Sequence, residues 1–207
     1  MPAEEAKRKE KKPLLTRLGL ESGIKRRWFL NSISMVLLVM LLLTLVAAMG
    51  ITYYYYSAME SLLATRADTQ AKYMNRYFSS SYSEFYEYGR NMVQSFGLAD
   101  RVEMQMLDDR GRVMFSSNGL TAGFTPQTEE ISQAFSTGKI APYVGYDTLT
   151  EEKVMAVTAP LFYKSGRIIG AVRYVTSLQR LDRKLLQVYL IAAGVFAVIA
   201  ALVIFSN

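Results

Sequence analysis

Two long stretches of this 207-residue chain carry no charged side chain, Trp28 to Met59 and Leu185 to Asn207, whereas charges recur throughout Glu60 to Lys184. A helix packed in a soluble protein keeps a polar face toward water, so an apolar run this long suits a segment with lipid around it. A hydrocarbon layer roughly 30 Å thick needs about 20 helical residues to cross it. Phe29 to Ile51 meets that length and Val188 to Phe205 nearly does. The sequence therefore predicts two transmembrane helices bracketing one folded segment. A secretory signal peptide is the competing reading of the first stretch, but its apolar region runs only about 7–15 residues. Ala47-Ala48-Met49 is also a poor cleavage signal.

The placement of basic residues sets the expected orientation. Lys7, Arg8, Lys9, Lys11, Lys12, Arg17, Lys25, Arg26 and Arg27 stand against Glu4, Glu5, Glu10 and Glu21, so the tail holds nearly all of the net charge of +6. Cytoplasmic flanks collect Lys and Arg, which puts both termini in the cytoplasm and the middle segment outside, in the plasma membrane. Trp28 and the Tyr53-Tyr54-Tyr55-Tyr56 run suit the two interfaces, and the tail suits anionic lipid. No nucleic-acid partner is expected, because the basic residues are not interleaved with stacking aromatics. The expected divisions are a basic tail over 1–27, a first span over 28–52, an extracytoplasmic domain over 53–184 and a second span over 185–207.

Composition removes several chemistries at once. The chain has neither cysteine nor histidine. Disulfide frameworks, Cys/His zinc sites, histidine-based nucleophile systems and a phospho-accepting histidine are therefore not available within it. Asp108, Asp109, Asp147, Glu151 and Glu152 lack the fixed spacing of a calcium loop and read as turn residues. No catalytic residue, metal or cofactor is expected.

Along the middle segment, Leu63, Ala67, Ala71, Met74, Phe78, Tyr82, Phe85, Tyr88, Met92 and Phe96 recur in steps of three and four, which predicts a long amphipathic helix ending near Gly97. Its spacing suits a homodimer seam, a face packed on a sheet, or both in different parts. Aromatics Tyr73, Tyr77, Phe78, Tyr82, Phe85, Tyr86 and Tyr88 crowd the same helix, more than one stripe holds. Beyond residue 100 the pattern turns to short β-rich runs. Val102 to Leu107 and Arg112 to Ser116 flank Asp108-Asp109-Arg110-Gly111 as a hairpin. A short helix begins near Thr128-Glu129-Glu130-Ile131 and stops at Gly138. Ile140 to Tyr146, Lys153 to Leu161 and Arg167 to Thr176 form an antiparallel meander. The fold class is α+β, a long N-terminal helix on a five-stranded antiparallel sheet.

This order of elements between two spans resembles the extracytoplasmic PAS-like (Cache-type) sensor domain of bacterial two-component sensor histidine kinases. The most specific stretches are Leu107-Asp108-Asp109-Arg110-Gly111-Arg112-Val113-Met114-Phe115-Ser116-Ser117, Ala159-Pro160-Leu161-Phe162 and Gly166-Arg167-Ile168-Ile169-Gly170-Ala171-Val172-Arg173-Tyr174-Val175. The resemblance implies a sensing module that couples an external small molecule, peptide or envelope condition to a cytoplasmic kinase encoded after Asn207. A chemoreceptor or cyclase sensor, and a passive envelope anchor, are the alternatives. The resemblance also implies a ligand pocket between the sheet and its flanking elements. The residues expected there are Tyr143, Tyr146, Met155, Thr158 and Arg173. Two readings of Arg173 stand: a partner for an anionic ligand, or a residue that is exposed or neutralised by Glu103 or Asp147.

Overall fold

A computed structural model describes residues 23–77, 82–97, 102–119, 122–147 and 150–205. The tail over 1–22, with the interfacial turn expected at Leu14, Leu15 and Leu18, lies outside the described residues, as does Phe78. The elements are α1 (Gly23–Tyr77), α2 (Tyr82–Ser95), β1 (Val102–Asp108), β2 (Val113–Ser116), α3 (Glu129–Thr137), β3 (Ala141–Asp147), β4 (Glu152–Phe162), β5 (Ile168–Ser177) and α4 (Gln179–Phe205). The helical stretch expected to end near Gly97 comprises α1 and α2, the latter stopping at Ser95.

By contacts the chain forms two units, Met1–Ile51 with Leu186–Asn207, and Thr52–Leu185. In the first unit Leu43, Val46, Leu190 and Ile191 are all more than half exposed, and the Tyr189 hydroxyl donates to the Ala48 carbonyl at 3.3 Å. Apolar surface of this kind is unfavourable in water and favourable in lipid. Both helices are long and apolar enough to cross a membrane.

The second unit is built on a sheet of order β2-β1-β5-β4-β3, antiparallel at every pairing. The β1–β2 turn follows from its residues. Gly111 takes φ 77°, and the Asp108 carboxylate accepts the backbone N–H of Arg110 and Arg112 and the Arg112 side chain. Burial pushes the Asp108 carboxyl up, but these Arg112 and Arg110 hydrogen bonds outweigh it and hold it below its ordinary value.

Alternation along the strands creates two unlike faces. On one, Met104, Met106, Met155, Val157, Ala159, Val172 and Tyr174 meet Leu63, Ala67, Ala71 and Met74 of α1 and Phe85 and Val93 of α2. This is the main core, and each large apolar side chain fully buried there contributes roughly 1.5–3 kcal/mol. The crowded aromatics divide as their spacing requires: Phe85 enters this core, Tyr86 stacks edge-on with Phe115, and Tyr73 lies beside Tyr88. The opposite face carries Leu107, Val113 and Ala171 against Ile131 of α3, with Val154, Ala156 and Val175 as a second small cluster. Helix α3 lies across β3 and β4, ending on Gly138 in the left-handed conformation at φ 65°.

Candidate functional site

The face under α3 holds the most unusual arrangement in the domain. Arg173 lies in the middle of β5, itself the central strand, and is 0% exposed. Strand pairing sets Gln105 of β1 opposite it on one side and Thr158 of β4 opposite it on the other, so the three residues form one row across the sheet. Helix α3 buries Glu130 together with Ile131 and Ala134, which brings a carboxylate down onto that row. Arg173 Nε donates to Glu130 Oε1 at 2.8 Å, Nη1 to Gln105 Oε1 at 2.8 Å and Nη2 to Thr128 Oγ1 at 3.1 Å.

The network extends outward. Gln105 Nε2 donates to Glu103 Oε1 at 2.7 Å, and the Ser116 hydroxyl donates to the same oxygen at 2.6 Å. Thr128 is the N-cap residue of α3, yet its side chain makes no capping bond; its hydroxyl donates instead to Glu130 Oε1 at 2.8 Å. Forgoing a cap costs a helix about 1 kcal/mol, so here local helix chemistry yields to the polar cluster. Two buried atoms of the cluster, Glu130 Oε2 and Thr158 Oγ1, have no partner among the described residues.

Of the residues expected to line a ligand pocket, Thr158 and Arg173 are brought together. Tyr143 shares their side of the sheet, opposite Ala156 in the register, and its hydroxyl donates to the Tyr146 carbonyl at 3.3 Å. Tyr146 is 70% exposed on the other side of edge strand β3, and Met155 is buried in the α1-side core, so neither lines this cluster. The partner of Arg173 also differs from expectation. Glu130 neutralises it, while Glu103 is reached only through Gln105. Sequence reasoning passed over Glu130, Thr128 and Gln105. A glutamine between Met104 and Met106 in a buried strand, and a glutamate beside Ile131 on the apolar side of a short helix, were the available signals.

A second polar cluster ties three elements of the same unit. The Tyr56 hydroxyl of α1 donates to Asp182 Oδ1 of α4 at 2.7 Å, and Lys153 Nζ of β4 donates to the Tyr56 oxygen at 2.7 Å. Lys153 also reaches Asp182 Oδ2 at 3.5 Å and stands 5.0 Å from the Tyr56 ring centroid. Burial, foremost, raises the Tyr56 phenol, with Asp182 adding to it; the hydrogen bond to Tyr56, then Asp182, raise the Lys153 ammonium.

No protein-family model matches the sequence, and no curated protein does. Solved structures do. The ligand-binding domain of the Campylobacter jejuni chemoreceptor Tlp3 in complex with L-valine aligns at TM-score 0.52 and 14% identity, over 80% of this chain and 68% of that one. The V. cholerae histidine kinase DctB sensor domain aligns at 0.46 and 13%, over 81% and 58%. The E. coli DcuS sensor domain aligns at 0.37 and 14%, over 60% and 95%. This chain thus spans less than two thirds of the DctB domain's length. The fold of this chain, helices packed on a five-stranded antiparallel sheet, is shared with the Tlp3 ligand-binding domain.

Proposed function

We propose that this chain is the sensing and transmembrane-signalling part of a membrane receptor, and that its output is a histidine kinase. The observation that carries the reading is helix α1. One element, Gly23–Tyr77, contains both an uncharged run long enough to cross a membrane and the residues Leu63, Ala67, Ala71 and Met74 that pack on the sensor sheet. The last strand supports the same reading, because β5 ends at Ser177 and α4, with the second such run, begins at Gln179.

The sensing surface in this reading is the α3 face around Arg173, Thr158 and Glu130, with Tyr143 at its border. A ligand that binds one arrangement of α3 on the sheet more tightly than another shifts a two-state equilibrium, and about 1–3 kcal/mol of coupling suffices. The Tlp3 domain was solved with L-valine, which is consistent with a small-molecule stimulus here. The kinase output rests on the resemblance of the Leu107–Ser117 and Gly166–Val175 stretches. The chain itself has no histidine to phosphorylate.

We also place the basic tail and both termini in the cytoplasm and residues 57–184 outside, by the charge asymmetry. The receptor is a parallel homodimer. Tyr55, Ala58, Leu62, Thr65 and Thr69 form an exposed, uncharged stripe on α1 at steps of three and four, and Ala193, Ala197 and Ala201 form a small-residue stripe on α4.

The test is a fusion of residues 1–207 to a kinase transmitter in several helical registers. At least one register gives an output that changes when Glu130 or Arg173 is substituted, while Lys164→Ala leaves it unchanged. A well-expressed series that ignores even deletion of residues 100–176 shows a passive anchor instead.

A further inference from the structure

The chemistry of the buried cluster defines what it accepts, and this step rests on reading the α3 face as the sensing surface. Glu130 Oε1 already accepts two hydrogen bonds, from Arg173 Nε and the Thr128 hydroxyl, while Glu130 Oε2 accepts none. Thr158 Oγ1 is likewise without a partner, and both residues are 0% exposed. Thr158 stands directly opposite Arg173, which places its Cβ about 5 Å from that of Arg173. Both open atoms thus belong to residues that adjoin Arg173, Glu130 by its ion pair and Thr158 by strand register. Leaving a buried carboxylate oxygen without a donor is unfavourable, and an N–H or O–H relieves it.

Charge narrows the class further. Arg173 faces two carboxylates, Glu130 directly and Glu103 through Gln105, so the linked group carries a net charge of one minus. Asp147 and Glu152, paired across β3 and β4 on the same side, lie six positions along the strands from Thr158, roughly 20 Å away, and add no positive charge. An incoming carboxylate or phosphate has to displace Glu130 from Arg173 and would then stand beside two like charges in a poorly solvated interior. An ammonium leaves the Arg173–Glu130 pair in place and, although Arg173 is a like charge, brings the linked group to neutrality. It has three donors and no acceptor, which matches an acceptor-only carboxylate oxygen and a hydroxyl that also accepts.

We propose that the α3 face binds a protonated primary amine, its ammonium held by Glu130 Oε2 and Thr158 Oγ1 beside Arg173. The site is then selective against anions, the opposite of what an arginine alone suggests. Both atoms are buried, so the amine enters only when α3 lifts from β3 and β4, which makes binding and rearrangement one event.

The probe is methylammonium chloride, titrated into residues 1–207 in detergent micelles, with sodium chloride at equal ionic strength and sodium acetate as controls, reading the thermal unfolding midpoint. Methylammonium raises the midpoint saturably and acetate does not. Thr158→Val, nearly equal in shape, weakens the response by about tenfold or more, the loss of one charge-assisted hydrogen bond. If Thr158→Val folds poorly by circular dichroism, Glu130→Gln serves, because its amide sets a donor where the amine needs an acceptor and abolishes the response. A response unchanged in these variants, or no response to methylammonium, overturns the proposal. Stabilisation by acetate that vanishes in Arg173→Lys also overturns it, but leaves the sensing function standing. Insensitivity to both salts, with a kinase fusion blind to Glu130 and Arg173 substitutions, removes both.

Discussion

At Arg173 the cost of taking a guanidinium out of water, several kcal/mol, is offset by Glu130, Gln105 and Thr128 acting together. Removing one member leaves a buried charge without its partner. Glu130→Ala is expected to destabilise the fold by about 3–5 kcal/mol, whereas the double change Glu130→Leu with Arg173→Met restores most of the loss. Denaturant unfolding of both variants beside the parent, in micelles, checks this. On the opposite face Tyr174 gives a pH signature. Burial pushes its phenol up to about 12, against a smaller lowering by Arg66. The folded state thus holds this proton more tightly than the unfolded chain, whose phenol titrates near 10. The contribution is complete below pH 10 and is lost as pH rises toward 12. Tyr174→Phe is expected to flatten that part of the stability profile relative to the parent, measured as the difference between the two curves.

Among the elements, Tyr56, Lys153 and Asp182 join α1, β4 and α4 within the Thr52–Leu185 unit. Lys153 and Asp182 are about one third exposed, so solvent screens the pair and its effect on global stability stays within about 1 kcal/mol. Its local effect is larger, since Asp182 sits in the first turn of α4 and accepts from both other elements. Asp182→Asn is expected to raise amide exchange across the first turn of α4 and the start of β4 while leaving β1 and β5 protected. Uniform acceleration across the sheet would show that the junction holds the whole domain and not its ends. The N-cap of α3 teaches a related point. The Thr128-Glu129-Glu130 stretch marks a helix start, but the Thr128 hydroxyl makes no capping bond and joins the ion network instead.

For the whole molecule, the lack of cysteine makes topology directly measurable. A cysteine introduced at Ser117 is expected to react with an impermeant thiol reagent on intact cells, and one at Ser22 only after lysis; the reverse pattern inverts the proposed topology. Single cysteines placed through residues 54–69 are expected to cross-link in membranes with a maximum at positions 55, 58, 62, 65 and 69. A flat profile there means that the exposed stripe of α1 meets solvent and not a second copy.

Periodicity alone carried much of the fold. The uncharged runs, the three-and-four steps of Leu63, Ala67, Ala71 and Met74, the glycine turns at Gly111 and Gly138 and the five strands all follow from local sequence, because each reflects a geometric repeat of the backbone it sits in. Part of the site was readable on the same basis: Met155 and Thr158 lie three apart in a strand and so point to opposite faces, which parity by itself dictates. The identity of the partner of Arg173 was not readable. Glu130 lies 43 positions away, and nothing local says which side of α3 meets the sheet or which residue of β1 stands opposite Arg173. Those choices depend on the joint packing of three strands and a helix, where burying a guanidinium demands a carboxylate from whichever element the fold brings over it. Only the tertiary structure decided that this element is α3, and that it leaves one carboxylate oxygen open.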